Sequence, residues 1–146
     1  MTITAARPMS ELHHHSPHIV RIPAPAPWIN SNQRQDLRAQ TSTRRAWRDA
    51  GRIHAMSARL PKGITAVRVI ATCHPVTNRR RDVGNLYPTA KAVVDGLVDY
   101  GLIVDDDDRH LIGPDMRPGM IVGKAVHPLG LMVLTIHAYP TLHIIE

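Results

Sequence analysis

Phenylalanine is absent from this chain, and aromatic residues make up only 3% of its 146 residues. A core must therefore come mainly from Val, Ile, Leu, Ala and Met. Cysteine occurs once, as Cys73, which excludes an internal disulfide and fits a reducing, intracellular compartment. No apolar run approaches the ~20 residues that a membrane helix needs, and the N-terminus shows no apolar signal-peptide segment. A protein of the cytoplasm with no membrane partner is expected. No internal repeat is visible. What is present is a chain of one ordinary domain's length, 43% hydrophobic, long enough to bury roughly two-thirds of its unfolded surface. Its formal net charge is +6 and its pI about 10.2, a balance that favours a polyanionic partner, nucleic acid first.

Met1–Pro17 is polar, without sustained periodicity, and reads as a flexible arm. Its run His13-His14-His15 either binds metal adventitiously or is a bland tail feature. Residues 18–146 read as the folded domain. His18–Ile22 alternates as a short strand, and Pro23, Pro25 and Pro27 enforce an extended connector. Asn30-Ser31-Asn32 then either forms a turn or contacts phosphate. The spacing of Ala46, Trp47, Ala50, Ile53 and Met56 predicts a helix over Thr41–Leu60, capped by Ser42 or Thr43. Its Arg44, Arg45, Arg48 and Arg52 form either a solvated face or one turned to DNA. Ile64–Cys73, dense in β-branched residues, predicts a strand. Pro88–Tyr100 predicts a second helix with Leu86, Ala90, Val93, Val94, Leu97 and Val98 as one apolar stripe and Gly101 as its C-cap. Gly113–Gly119 reads as turn, Met120–Val126 and Leu131–Ala138 as a hairpin, and Leu142–Ile145 as an edge strand.

The charged residues concentrate between Asn78 and Leu111. Arg79, Arg80, Arg81 and Asp82 precede the second helix, Lys91, Asp95 and Asp99 step along it, and Asp105–Asp108 follow it. Four adjacent carboxylates form either a solvated acidic loop or part of a site for a hard cation such as Mg²⁺, which needs only one or two protein carboxylates and keeps several waters. The run does not have the alternating spacing of an EF-hand. Across a straight helix of about 13 residues, ~20 Å long, Asp82 and the aspartate run meet only if the Ile103-Val104 segment turns back.

In order and spacing, Arg81-Asp82-x-x-Asn85-Leu86, Lys91, Asp95-Gly96-Leu97, Gly101 and Asp105-Asp106 resemble the RusA-type Holliday junction resolvases. Ile22-Pro23 with Pro25, Pro27 and Asn30-Ser31-Asn32 is similar to that family's N-terminal strand and loop. The likeness spans residues 19–140. It implies an α+β fold, a small mixed sheet with two main helices packed on it, in a homodimer. It also implies a Mg²⁺-dependent endonuclease that resolves four-way junction DNA in recombination and repair, of the kind encoded by phages and prophages in bacterial cells. Within it, Asp82 and Asp106 match the acidic metal ligands, with Asp105 beside them, and Lys91 matches the catalytic helical lysine after a short insertion around Tyr87-Pro88-Thr89. Arg79, Arg80, Arg81, Asn85 and Lys91 would contact DNA. Gly84 stands where the family has a second metal-binding aspartate. Three readings follow: Asp105, Asp107 or Asp108 supplies the ligand, the protein binds junctions without cutting them, or the position carries an inactivating change.

Overall fold

A computed structural model describes residues 2–5, 16–34, 36–140 and 142–145. The run His13-His14-His15 lies outside them. The chain forms β1 (Thr2–Ala5), β2 (His18–Pro23), α1 (Leu37–Ser57), β3 (Ala66–His74), a 3₁₀ turn (Val83–Leu86), α2 (Tyr87–Tyr100), β4 (Leu111–Pro118), β5 (Leu131–Tyr139) and β6 (Leu142–Ile145). It is a mixed α+β fold: a four-stranded sheet in the order β2-β5-β3-β4, with the two helices packed on it. Thr2–Ala5, within the expected arm, pairs antiparallel with β6 in a separate two-stranded sheet.

β3 is the pivot of the larger sheet. It is antiparallel to β5, with Val69 opposite Ile136, and parallel to β4, with Val67 opposite Leu111. A parallel pair needs a crossover between its strands, and α2 supplies it. One face of these strands is the core. Val20, Ile22, Val67, Val69, Ala71, Leu134 and Ile136 point from the sheet toward Trp47, Ala50 and Ala55 of α1 and toward Ala90, Val93, Val94 and Leu97 of α2. The sheet residues follow the period of two that sends alternate side chains to one face. Fully burying a branched aliphatic side chain contributes about 1.5–3 kcal/mol, so this face is the main source of stability. Without phenylalanine, Trp47 fills the largest core position. It is fully buried, and its Nε1 donates to the carbonyl of Pro27 at 3.0 Å, which satisfies its one polar atom.

The two helices cross at glycines. A Cβ at Gly96 would lie 2.1 Å from the carbonyl oxygen of Arg48, and one at Gly51 would lie 2.4 Å from that of Val93. Both residues weaken isolated helices, yet each lets the opposite backbone approach. At the edge of this contact Arg48 donates from Nε and Nη2 to both carboxylate oxygens of Asp99, at 2.6 and 2.8 Å. Arg48 is therefore committed to α2.

Four sequence expectations fail here. α1 begins at Leu37, and its cap is Asp36, whose Oδ1 accepts from the Ala39 amide at 2.8 Å, so Ser42 and Thr43 lie inside the helix. Ile53 and Met56, expected on its buried stripe, are exposed, and Ala55 is buried instead. The hairpin of Met120–Val126 with Leu131–Ala138 does not form. The segment expected as turn, with Gly113, Pro114 and Pro118, is strand β4, and 119–130 is a loop. β4 lies at the sheet edge, where proline is tolerated because one side of the strand needs no ladder partner.

Candidate nucleic-acid interface and acidic site

The connection leaving β3 and the residues following β4 emerge at the same end of the sheet, since the two strands are parallel. In open α/β sheets this carboxyl end is where ligands bind. Here a cleft of about 1010 Å³ opens there. Its lining includes Thr77, Asn78, Arg79, Arg80, Arg81, Asp82 and Asn85 from the β3–α2 connection, Asn30 from the loop after β2, and Pro118, Gly119 and Ile121 from the end of β4. Cys73 closes its floor. Burial pushes that thiol up to about 12, so it stays protonated and unreactive at neutral pH.

Hydrogen bonds fix the Asp82–Asn85 side of the cleft and its Asn30 neighbour. Asp82 caps the 3₁₀ turn: its Oδ1 accepts from the Gly84 amide at 3.0 Å, and its carbonyl accepts from the Asn85 amide at 3.1 Å. The Asn85 carbonyl in turn accepts from the Ser31 amide at 2.9 Å. One residue pair deepens this tie. Thr89, fully buried, donates from Oγ1 to the Ile29 carbonyl and accepts from the Ile29 amide, both at 2.8 Å. These bonds hold Asn30 against the start of α2. Arg81 folds over the connection, with Nη2 donating to Oγ1 of Thr77 at 3.1 Å. Among the described residues no carboxylate pairs with Arg79, Arg80 or Arg81. Arg79, Arg80 and Arg81 are exposed.

The second charged group lies along α2. The chain turns back after Gly101, whose φ of 100° is left-handed, a conformation glycine adopts without strain. Leu102 and Ile103 bury, and the return delivers Asp106 to Lys91, one turn into the helix. Lys91 Nζ bonds Asp106 Oδ2 and, at 2.6 Å, Asp95 Oδ1. Burial pulls the Lys91 pKa down, but the hydrogen bonds it donates to Asp106 and Asp95 outweigh it and leave it raised. The hydrogen bond from Lys91 holds Asp106 below the ordinary carboxylate range. Asp105 Oδ1 accepts from the Asp106 amide at 2.8 Å. Asp107 bonds Nδ1 of His110 at 2.5 Å and caps the Arg109 amide at 3.0 Å, which commits it to the loop's own turn.

The structure thus gathers Arg79, Arg80, Arg81, Asp82 and Asn85 on one cleft, and Lys91, Asp95 and Asp106 in one ion-paired cluster. Lys91, Asp105 and Asp106 are not part of the cleft lining. The Ile103-Val104 segment does turn back, and it brings Asp106 to Lys91, while no hydrogen bond joins Asp106 to Asp82 among the described residues. Sequence reasoning missed Cys73, Pro118, Gly119 and Ile121 as cleft residues. Their signal was the parallel pairing of β3 and β4, which no local pattern carries.

As for a metal, the donors are carboxylate oxygens suited to a hard cation. Asp82 and Asp106 each use one oxygen in the bonds above, and their second oxygens make no hydrogen bond among the described residues. Among the described residues no three His, Cys, Asp or Glu side chains form a group able to hold a metal ion. At position 84 a Cβ would sit 3.2 Å from Asp82 Oδ1 and meet nothing else within 4 Å. A side chain there would lie directly beside the Asp82 carboxylate. Carboxylate oxygens suit a hard cation held largely by water, but Asp82 stands on the cleft and Asp106 on Lys91, and no hydrogen bond joins the two among the described residues.

No protein-family model matches the chain, and no curated protein matches it. Among the described residues no helix is long and apolar enough to cross a membrane.

Proposed function

We propose that the protein is a structure-selective, Mg²⁺-dependent endonuclease acting on four-way DNA junctions, as its resemblance to the RusA-type resolvases implies. The observation that carries this reading is the cleft at the carboxyl ends of β3 and β4, where three exposed arginines and Asp82 stand together. Arg79, Arg80 and Arg81 hold the DNA backbone, a sequence-independent contribution that weakens with salt. Asn85 and Asn30 add amides able to reach phosphate or a base edge. Lys91, kept protonated by Asp95 and Asp106, offsets negative charge that develops at the phosphate.

Asp82 and Asp106, with Asp105 beside them, would hold Mg²⁺, which when bound polarises the scissile phosphate and activates water. A homodimer would present two such sites for paired nicks, and two-fold symmetry is the commonest oligomeric arrangement. Action on junctions would put the protein in recombination and repair, in the cytoplasm of a bacterial host cell if, as is common for that family, it is phage or prophage encoded.

The second reading, a junction-binding protein without cleavage, is favoured by one specific observation: position 84 has no carboxylate to place beside Asp82. A cleavage assay on a synthetic four-way junction with Mg²⁺ separates the two. Paired nicks near the branch point are expected. Tight binding with no nick under any Mg²⁺ concentration leaves only the silent module, and binding no tighter than to linear duplex removes both.

A further inference from the structure

The loop between β4 and β5 carries four large apolar side chains turned to solvent within ten residues: Met120, Ile121, Val126 and Leu129. Met120 is 82% exposed and Val126 75%. Single exposed apolar residues are ordinary, but Met120 and Ile121, adjacent in sequence and both exposed, are a feature that calls for a partner. The loop has a defined course. The Gly119 amide donates to the Cys73 carbonyl and the Val122 amide to the Pro75 carbonyl, both at 2.9 Å. The ring of His74 bonds the Met120 carbonyl at 2.9 Å. At the far end Trp28 Nε1 donates to the Leu129 carbonyl at 2.6 Å. The apolar tips are thus presented on a fixed frame, and Ile121 forms part of the rim of the arginine-lined cleft.

We infer that Met120 and Ile121 form an apolar wedge that enters the base stack at the branch point of the DNA held in the cleft. This rests on the junction-binding reading above. Apolar side chains, methionine and isoleucine among them, insert between base steps where a neighbouring basic surface holds the backbone. A branch point offers the least costly place, since its stacking is already interrupted. Charge decides the occupant. Arg79, Arg80 and Arg81 border the wedge, so a polyanion suits it. A second copy docked on the same patch by two-fold symmetry would bring its own three arginines into the contact. An anionic membrane would satisfy the arginines, but not the amides of Asn30, Asn78 and Asn85 inside the cleft, which match base edges and phosphates.

The test uses the full chain in EDTA, so that no strand is cut, with a junction carrying 2-aminopurine next to the branch point. Binding is expected to brighten the probe several-fold. Met120→Ser with Ile121→Ser should abolish the brightening and weaken junction binding about tenfold, the scale of removing the stacking partner of one base. The salt dependence of binding should not change, because every phosphate-binding cation remains in place. Met120→Leu with Ile121→Val should keep the signal. Should the double serine protein lose its native circular dichroism, the two single serine changes are read instead.

A wild-type protein that binds the junction without brightening the probe overturns the wedge and leaves the junction reading intact, as does a serine variant that brightens it fully. Failure of the wild type to bind junctions overturns both. A serine variant that turns a dimer into a monomer in sedimentation assigns the loop to self-association. One that instead loses binding to phosphatidylserine vesicles assigns it to a membrane. Either result overturns the proposal.

Discussion

The two charged regions flanking the start of α2 are built on opposite principles. Along the helix, Lys91 is shared between Asp95 and Asp106, so most of the charge is neutralised within the fold. In the cleft, Arg79, Arg80 and Arg81 stand exposed, with no carboxylate partner among the described residues, and the carboxylate near them, Asp82, is turned to cap its own 3₁₀ turn. A closed cluster holds geometry, whereas an open cluster keeps its charge for a partner. The contrast teaches that net charge alone identifies neither region. The excess of +6 becomes informative only once paired cations such as Arg48, Arg68 and Lys91 are separated from those facing solvent.

The sharpest break in the comparison comes from the closed cluster. Asp106→Asn removes a charge that both pairs with Lys91 and would hold the metal. Junction cleavage in a single-turnover assay is expected to fall by at least about 100-fold, the scale of losing one preorganised electrostatic group, while junction binding changes little. Unchanged cleavage would remove Asp106 from the site. The open cluster should show the reverse pattern. Replacing Arg79, Arg80 and Arg81 by alanine should lower the slope of log K against log salt by up to about 2.7, at ~0.9 for each phosphate that is no longer neutralised. A slope equal to that of the wild type would mean that these arginines face away from DNA.

Gly84→Asp sharpens the same boundary from the other side. A Cβ at position 84 presses on Asp82 Oδ1 at 3.2 Å and meets nothing else within 4 Å, so the new carboxylate should fit once that side chain yields slightly, and the Mg²⁺ concentration giving half-maximal cleavage should drop several-fold. Isothermal titration with Mg²⁺ alone gives a readout independent of activity, and unaltered metal affinity would show that position 84 does not face the ion.

The smallest effect belongs to a pair far from either cluster. The hydrogen bonds from Arg48 hold Asp99 below the ordinary carboxylate range. A depressed carboxylate contributes stability that is present above its unfolded pKa, near 3.9, and is lost as pH falls through the folded value. Because Arg48 is half exposed, screening limits the pair to under about 1 kcal/mol. Urea titrations of Asp99→Asn and wild type should therefore differ slightly at pH 7 and converge as the pH falls through the depressed value of Asp99. A gap that persists in acid would contradict the assignment.

The sequence patterns that proved legible are those with strong local periodicity. β2, β3 and α2 follow their alternation or their apolar stripe, and Gly101 ends its helix as expected. The patterns that misled depend on distant partners. Leu37, the one large apolar residue of Leu37–Gln40, is 81% exposed and lies off the buried stripe, so the true start of α1 rests on the Asp36 cap alone. β4 contains Pro114 and Pro118 and reads as punctuation, yet it survives as an edge strand beside β3. The same holds at the site. Arg79–Asp82 is visible as a motif. The meeting of Lys91 with Asp106, fifteen residues apart, depends on the burial of Leu102 and Ile103, which turns the chain back. Ile121 and Cys73 reach the cleft only because two strands run parallel.

The central claim is that the cleft at the carboxyl ends of β3 and β4 receives the junction, and one crosslinking measurement tests it most directly. Cys73 is buried and protonated, so Asn78→Cys would introduce the one reactive thiol, at the cleft lining. Carrying a photoactivated aryl azide, that thiol should crosslink to nucleotides within a few steps of the branch point of a bound four-way junction. Crosslinks spread evenly along the arms, or none while the junction remains bound, would contradict the account.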